Sequence, residues 1–129
     1  MPKLSRDDQA NLVTEPTMPG YETRYTVTNG YVMDISKYPE AADFTPYYRG
    51  LPEDRCQGTH WGYVIRGQLT IHRPEGDEVF NEGDAYIITP NHTPEVVAGT
   101  ELVEFTSEED ATRTMAVVTR NMQGASDTD

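Results

Sequence analysis

The sequence predicts an all-β sandwich or barrel that ends in one helix. Three observations predict it. Turn signals recur about every 8–12 residues through the middle of the chain. Asn29-Gly30 stands between two β-like runs, and both residues tolerate the positive φ of a tight hairpin. From Thr106 onward the apolar residues recur at a helical rather than a strand period.

The first 20 residues are polar and carry Pro2, Pro16 and Pro19, which predicts an arm over residues 1–20. Residues 24–28 and 31–36 are the strands flanking Asn29-Gly30. Residues 37–57, with Pro39, Pro46, Gly50 and Pro52, read as one long loop, a feature that is often functional in a compact domain. Tyr38, Phe44, Tyr47 and Tyr48 within it predict that it packs over something.

Strands are predicted at residues 61–66 and 68–72, meeting at Gly67, and then at 78–81, 85–89, 95–98 and 101–106. Thr106-Ser107-Glu108-Glu109 has the form of a capping box, with acids placed to favour a helix dipole. Ala111, Met115, Val118 and Met122 follow at intervals of four, three and four, so a helix is predicted over residues 107–122. Residues 123–129 read as a disordered tail, which leaves 21–122 as the domain.

Charge narrows the function classes. Ten Lys and Arg stand against 22 Asp and Glu, a formal net charge of −12. Nucleic-acid binding needs clustered cations, so a phosphate-backbone partner is excluded, and an anionic membrane surface with it. No apolar run approaches the ~20 residues that span a bilayer. Residues 1–13 lack the apolar core of a signal peptide, and a single cysteine, Cys56, makes no internal disulfide, so a cytoplasmic location is expected.

The segment from Asp54 to Glu95 resembles the two motifs of the cupin superfamily, a resemblance that covers roughly residues 50–106. The first motif has the form G-x5-H-x-H-x3,4-E-x6-G. Anchored on Gly67, it puts the acidic ligand position on His60 and the two histidine positions on Cys56 and Asp54. The second, G-x5-P-x-G-x2-H-x3-N, matches Gly83 to Glu95 with one residue inserted before Pro90. Its metal-binding histidine position falls on Glu95, with His92 in the loop just before it.

The resemblance implies a small single-domain cupin: a cupin-type β-barrel, or jelly-roll sandwich, pairing as a homodimer. It also implies a divalent metal inside the barrel, acting on a small organic molecule by isomerisation, cyclisation or lyase chemistry. Zinc or iron suits the available donors. The metal candidates are His60, Cys56, His92 and Glu95; the catalytic candidates are His60 and Tyr48, the tyrosine as general acid. Tyr47, Arg55, Tyr63 and His92 are the substrate-binding candidates.

Plainer readings stand beside these. Lone cysteines are commonly small buried hydrophobes, Glu95 reads equally as an exposed carboxylate, and the tyrosine-rich loop as a cover for a sheet edge. His60 and Gly62 share one strand face and Trp61 and Tyr63 the other, by alternation. His72 alternates with Gln68 and Thr70 and is expected to point outward, and Asp54 to be a loop acid. A metal-free cupin that binds a small ligand or acts as a dimeric binding module is the rival class. A metal-free enzyme with His60 as general base is a third.

Overall fold

The computed structural model describes residues 2–15 and 18–127. Pro16 of the expected arm and Thr128 and Asp129 of the expected tail lie outside the described residues. The strands are β1 (Leu12–Thr14), β2 (Glu22–Thr28), β3 (Tyr31–Tyr38), β4 (Ala42–Asp43), β5 (His60–Arg66), β6 (Gln68–His72), β7 (Glu78–Asn81), β8 (Ala85–Ile88), β9 (Thr93–Val96) and β10 (Thr100–Ser107). One helix, α1 (Glu108–Asp127), follows directly.

The strands form two sheets, one of six in the order β1-β2-β3-β10-β5-β8 and one of four in the order β4-β9-β6-β7. Each pairing described is antiparallel. The architecture is the mostly-β, two-sheet sandwich with a C-terminal helix that the sequence predicts. No helix described is long and apolar enough to cross a membrane.

Local sequence explains the main turns. Asn29 and Gly30 both have positive φ, 53° and 80°, and join β2 to β3 with Thr28 opposite Tyr31. Gly67 has φ 84° where the chain leaves the large sheet for the small one; a Cβ there would lie 2.4 Å from Thr100 Oγ1. Only glycine meets both demands.

The apolar core lies between the inner faces of the sheets. Val64, Leu69, Ile71, Ile88, Val96 and Leu102 are buried there with Phe44 and Tyr86. Each fully buried aliphatic side chain contributes about 1.5–3 kcal/mol. Phe44 comes from the long loop, which therefore packs into the sandwich as its aromatic content predicts.

Both ends of the chain carry more structure than the composition suggests. The expected arm contributes β1 to the large sheet. Arg6 grips the buried Glu101 through two hydrogen bonds of 2.6 and 2.7 Å, and Arg24 donates to the Asp8 carbonyl. The helix runs to Asp127, into the segment expected to be disordered. Its cap also differs: Ser107 Oγ accepts from the Asp110 amide at 3.2 Å, one residue after the expected Thr106. Thr106 belongs to the inner face of β10 and its hydroxyl is engaged elsewhere.

Candidate metal centre

A cavity of about 580 Å³ runs between the inner face of the large sheet and α1. Cys56, His60 and His92 meet on its wall, with one ligand atom of each lying within 4.8 Å of the others. They arrive from three segments. His60 opens β5, and its inward face is set by alternation with the exposed Trp61. Cys56 and His92 form an isolated antiparallel bridge between the long loop and the segment before β9, with Cys56 N donating to the His92 carbonyl at 2.8 Å.

The rings are held from behind. His60 Nδ1 lies 2.7 Å from Thr106 Oγ1, its cross-strand partner on β10. His92 Nδ1 donates to the Thr89 carbonyl at 2.7 Å, leaving Nε2 as the lone-pair nitrogen of the neutral ring. The two rings stand edge to face, 5.2 Å apart. His60 Nε2 lies 3.5 Å from Cys56 Sγ, which also meets Thr114 Oγ1 of α1 at 3.5 Å and the Gly58 amide at 3.4 Å.

The electrostatics follow from this contact. Burial pushes the Cys56 thiol up, but the neighbouring His60 and His92 rings outweigh it and bring the thiol to about 5. Burial pulls the His60 imidazolium down, while the Glu104 carboxylate and Cys56 raise it to about 9. The two shifts run in opposite directions, toward a thiolate beside an imidazolium, and a metal ion binding here would displace the proton between them.

Beyond the triad lies a second polar group. Asp34 on β3 and Glu104 on β10 are cross-strand partners, and both line the cavity. Burial, and then the neighbouring Glu104, push the Asp34 carboxyl up to about 8. Ser36 Oγ donates to Asp34 at 3.2 Å, and the Tyr86 hydroxyl donates to Glu104 at 2.8 Å. Gly62, between His60 and Val64 on the inner face, makes this last bond possible. A Cβ there would lie 2.4 Å from the Tyr86 ring and 2.5 Å from the Val103 carbonyl oxygen.

Of the residues singled out from the sequence, the fold brings together Cys56, His60 and His92, with Tyr48 on the same cavity wall. Four others lie elsewhere. Glu95 is off the site: Pro94 and Val96 face the cavity, so Glu95 faces the other way and bonds His72 Nε2 at 2.7 Å. The ring that reaches the site is His92, three residues before the position that the second motif assigns to its histidine. Tyr63 is on the outer face, 45% exposed, because the parity of β5 is unbroken through Gly62. Arg55 turns out of the cavity, and its guanidinium donates to the Glu53 carbonyl at 3.4 Å. Tyr47 packs against Phe44 rather than lining the cavity, and its carbonyl accepts from Asn121 of α1 at 2.7 Å.

His72 points outward as expected, with Asp77 and Glu95 on its two ring nitrogens. Asp54 is a loop acid that accepts from the Gly50 amide at 3.0 Å. Sequence reasoning missed Asp34, Glu104 and Thr106. The available signal was a pair of polar residues alternating with apolar ones, Glu104 and Thr106 against Val103 and Phe105.

No protein-family profile matches the sequence, and neither does any curated protein. Solved structures do match. An RmlC-like cupin from Shewanella frigidimarina shares 12% identity over 84% of this chain and 92% of its own, with a TM-score of 0.57. The polyketide cyclase RemF from Streptomyces resistomycificus shares 16% over 84% and 80%, with a TM-score of 0.56. A cupin-superfamily sugar phosphate isomerase from Silicibacter pomeroyi shares 14% over 82% and 75%, with a TM-score of 0.54. These likenesses span most of both chains at identities where sequence alone says little, and with the strand order they show that this chain has the cupin fold.

Proposed function

We propose that the protein is an enzyme that isomerises, cyclises or cleaves a small organic molecule at a divalent metal held by Cys56, His60 and His92. The observation that carries this reading is the convergence of those three side chains at the cavity wall.

The donor set fits the ion. One thiolate and two imidazoles suit zinc or iron. Donors about 2.3 and 2.0 Å from a tetrahedral ion lie about 3.5 Å apart, and Cys56 Sγ and His60 Nε2 are 3.5 Å apart. Thr106 and the Thr89 carbonyl hold the rings as outer partners of ligating histidines do. When bound, such an ion supplies a Lewis acid that polarises a substrate oxygen.

The chain's own residues supply proton transfer. Asp34 keeps its proton near neutral pH and is a donor toward the cavity. Glu104, fixed by Tyr86, is the matching acceptor. Tyr48 lines the same space, and burial keeps its phenol protonated, so it is a second donor. An acid and a base facing one substrate serve isomerisation, ring closure and elimination alike. The names of two structural neighbours, a cyclase and an isomerase, fall in the same range.

A second reading is a metal-free binding protein. It is favoured by Cys56 Sγ, which is satisfied by His60, Thr114 and Gly58 without an ion. Metal analysis of untagged protein purified without chelator decides between them. Stoichiometric metal, lost on Cys56→Ser and on His92→Ala, supports the enzyme. Metal-free protein that takes up no zinc or iron on dialysis overturns it.

The proposal includes a homodimer in the cytoplasm. Trp61, Ile87 and Phe105 are exposed and lie side by side across the outer face of β8, β5 and β10, with Tyr63 next to them. On a chain of net charge −12, an uncharged patch suits a second copy better than a charged partner.

A further inference from the structure

We infer that the ligand of the cavity is an aromatic molecule that bears hydroxyl groups and no anionic group, and that the cavity turns away anions. The inference takes this cavity as the ligand site proposed above and adds the class of molecule it accepts.

Its first support is where the cations are. Among the described residues, none of the ten Lys and Arg lines the cavity. Arg6 is held by Glu101, Arg24 by Glu22 and Lys37 by Asp7. Arg73 pairs with Glu78 and Arg113 with Asp110. A protein that binds phosphate or carboxylate groups ordinarily places arginine or lysine against them.

The second support is where the acids are. Glu15, Asp34, Glu104 and Glu108 all line the cavity. His60 lines the cavity too, but its Nε2 lies 3.5 Å from Cys56 Sγ and its Nδ1 2.7 Å from Thr106 Oγ1, so both ring nitrogens already have partners. An anionic ligand would lose its water beside an acidic wall with no lysine or arginine to pair with it.

The third support is the wall itself. Tyr21 and Tyr38 have ring centroids 5.1 Å apart and tilted by 42°, and Tyr38 and Phe44 5.6 Å apart at 64°, which makes a contiguous aromatic cluster on the wall. Val118 and Met122 of α1 line the cavity as well. Thr23 and Ser36 bring hydroxyl oxygens to the wall; Ser36 donates to Asp34 and Thr23 to Ser36, so what they offer a ligand is an acceptor. About 580 Å³ lies within the range of pockets that enclose a small polycyclic molecule.

The test uses three probes of one shape: a naphthalenediol, the corresponding hydroxynaphthoic acid and the corresponding hydroxynaphthylmethylamine. Calorimetry near neutral pH measures each on the protein as purified and on Cys56→Ser. The diol and the amine are each expected to bind at least about tenfold more tightly than the acid in both proteins. Met115 lines the cavity yet is 51% exposed, so Met115→Arg keeps the fold and adds a cation to the wall. It should raise the affinity for the acid about tenfold.

Acid binding as tight as that of the diol or the amine overturns the inference. So does the failure of all three to bind, and so does a Met115→Arg protein whose preference is unchanged. Metal content of the same samples is read separately. A diol preference that persists in metal-free Cys56→Ser supports this inference even if the metal reading fails.

Discussion

The Tyr86 hydroxyl reaches Glu104 at 2.8 Å by crossing the position where Gly62 has no side chain. Three strands meet in this contact: β8 brings the phenol, β10 the carboxylate and β5 the gap. Gly62→Ala should therefore displace the ring and press on the Val103 carbonyl. The expected cost is about 1–3 kcal/mol, the usual range for overpacking. Urea unfolding measures it, and a midpoint equal to wild type would show that the ring moves aside freely.

His92 and Glu95 are three residues apart and should behave oppositely. His92→Ala removes a ring from the triad and should abolish stoichiometric metal binding. Glu95→Ala breaks only the outer contact with His72 and should leave metal content unchanged. Elemental analysis of the two variants side by side checks this.

Asp34 makes stability depend on pH with a defined sign. Its carboxyl is raised to about 8 in the folded protein from an ordinary value of 3.8. Between these values the folded state holds a proton that the unfolded chain has lost, so this contribution is complete below about pH 4 and declines as pH rises toward 8. Asp34→Asn cannot ionise. Urea unfolding across this range should show that the variant gains stability relative to wild type as pH rises. Parallel profiles would show that Asp34 is ionised at its ordinary pKa.

The outer apolar face predicts the state of assembly. Sedimentation should show a dimer at micromolar concentration, and Trp61→Glu with Ile87→Glu should yield a monomer that keeps its fold by circular dichroism. A wild-type protein that sediments only as a 14.5 kDa species would refute the dimer.

Turns were the legible part of this fold. Asn29-Gly30 and Gly67 carry their geometry in residue type, because a positive φ selects so few side chains. Cys56 and His60 were legible as site residues through motif spacing, and His92 through its nearness to the motif. The carboxyl pair was not. On β10 the apolar Val103 and Phe105 face outward while Glu104 and Thr106 face in, the reverse of an ordinary half-buried strand. A chain that builds a wet cavity inside and an apolar patch outside inverts the signal from which inward faces are read. The Glu95 alignment failed for a different reason: the motif count lands on a residue of β9 whose neighbours Pro94 and Val96 face the cavity, so its own side chain faces away, and the ring that reaches the site comes from the residue just before the strand.

Helix α1 supplies Thr114 to the Cys56 sulfur, and Ala111, Met115, Val118 and Met122 to the cavity wall, all from one continuous stretch after the last strand. The barrel thus holds the reactive groups, and a separate terminal segment shapes much of the space in front of them. Changes confined to that segment can remodel what the cavity accepts while the sheets that position Asp34, Glu104 and the histidines stay as they are. Exchanging this one helix is a route to new selectivity in which the chemistry is inherited and only the fit is redrawn.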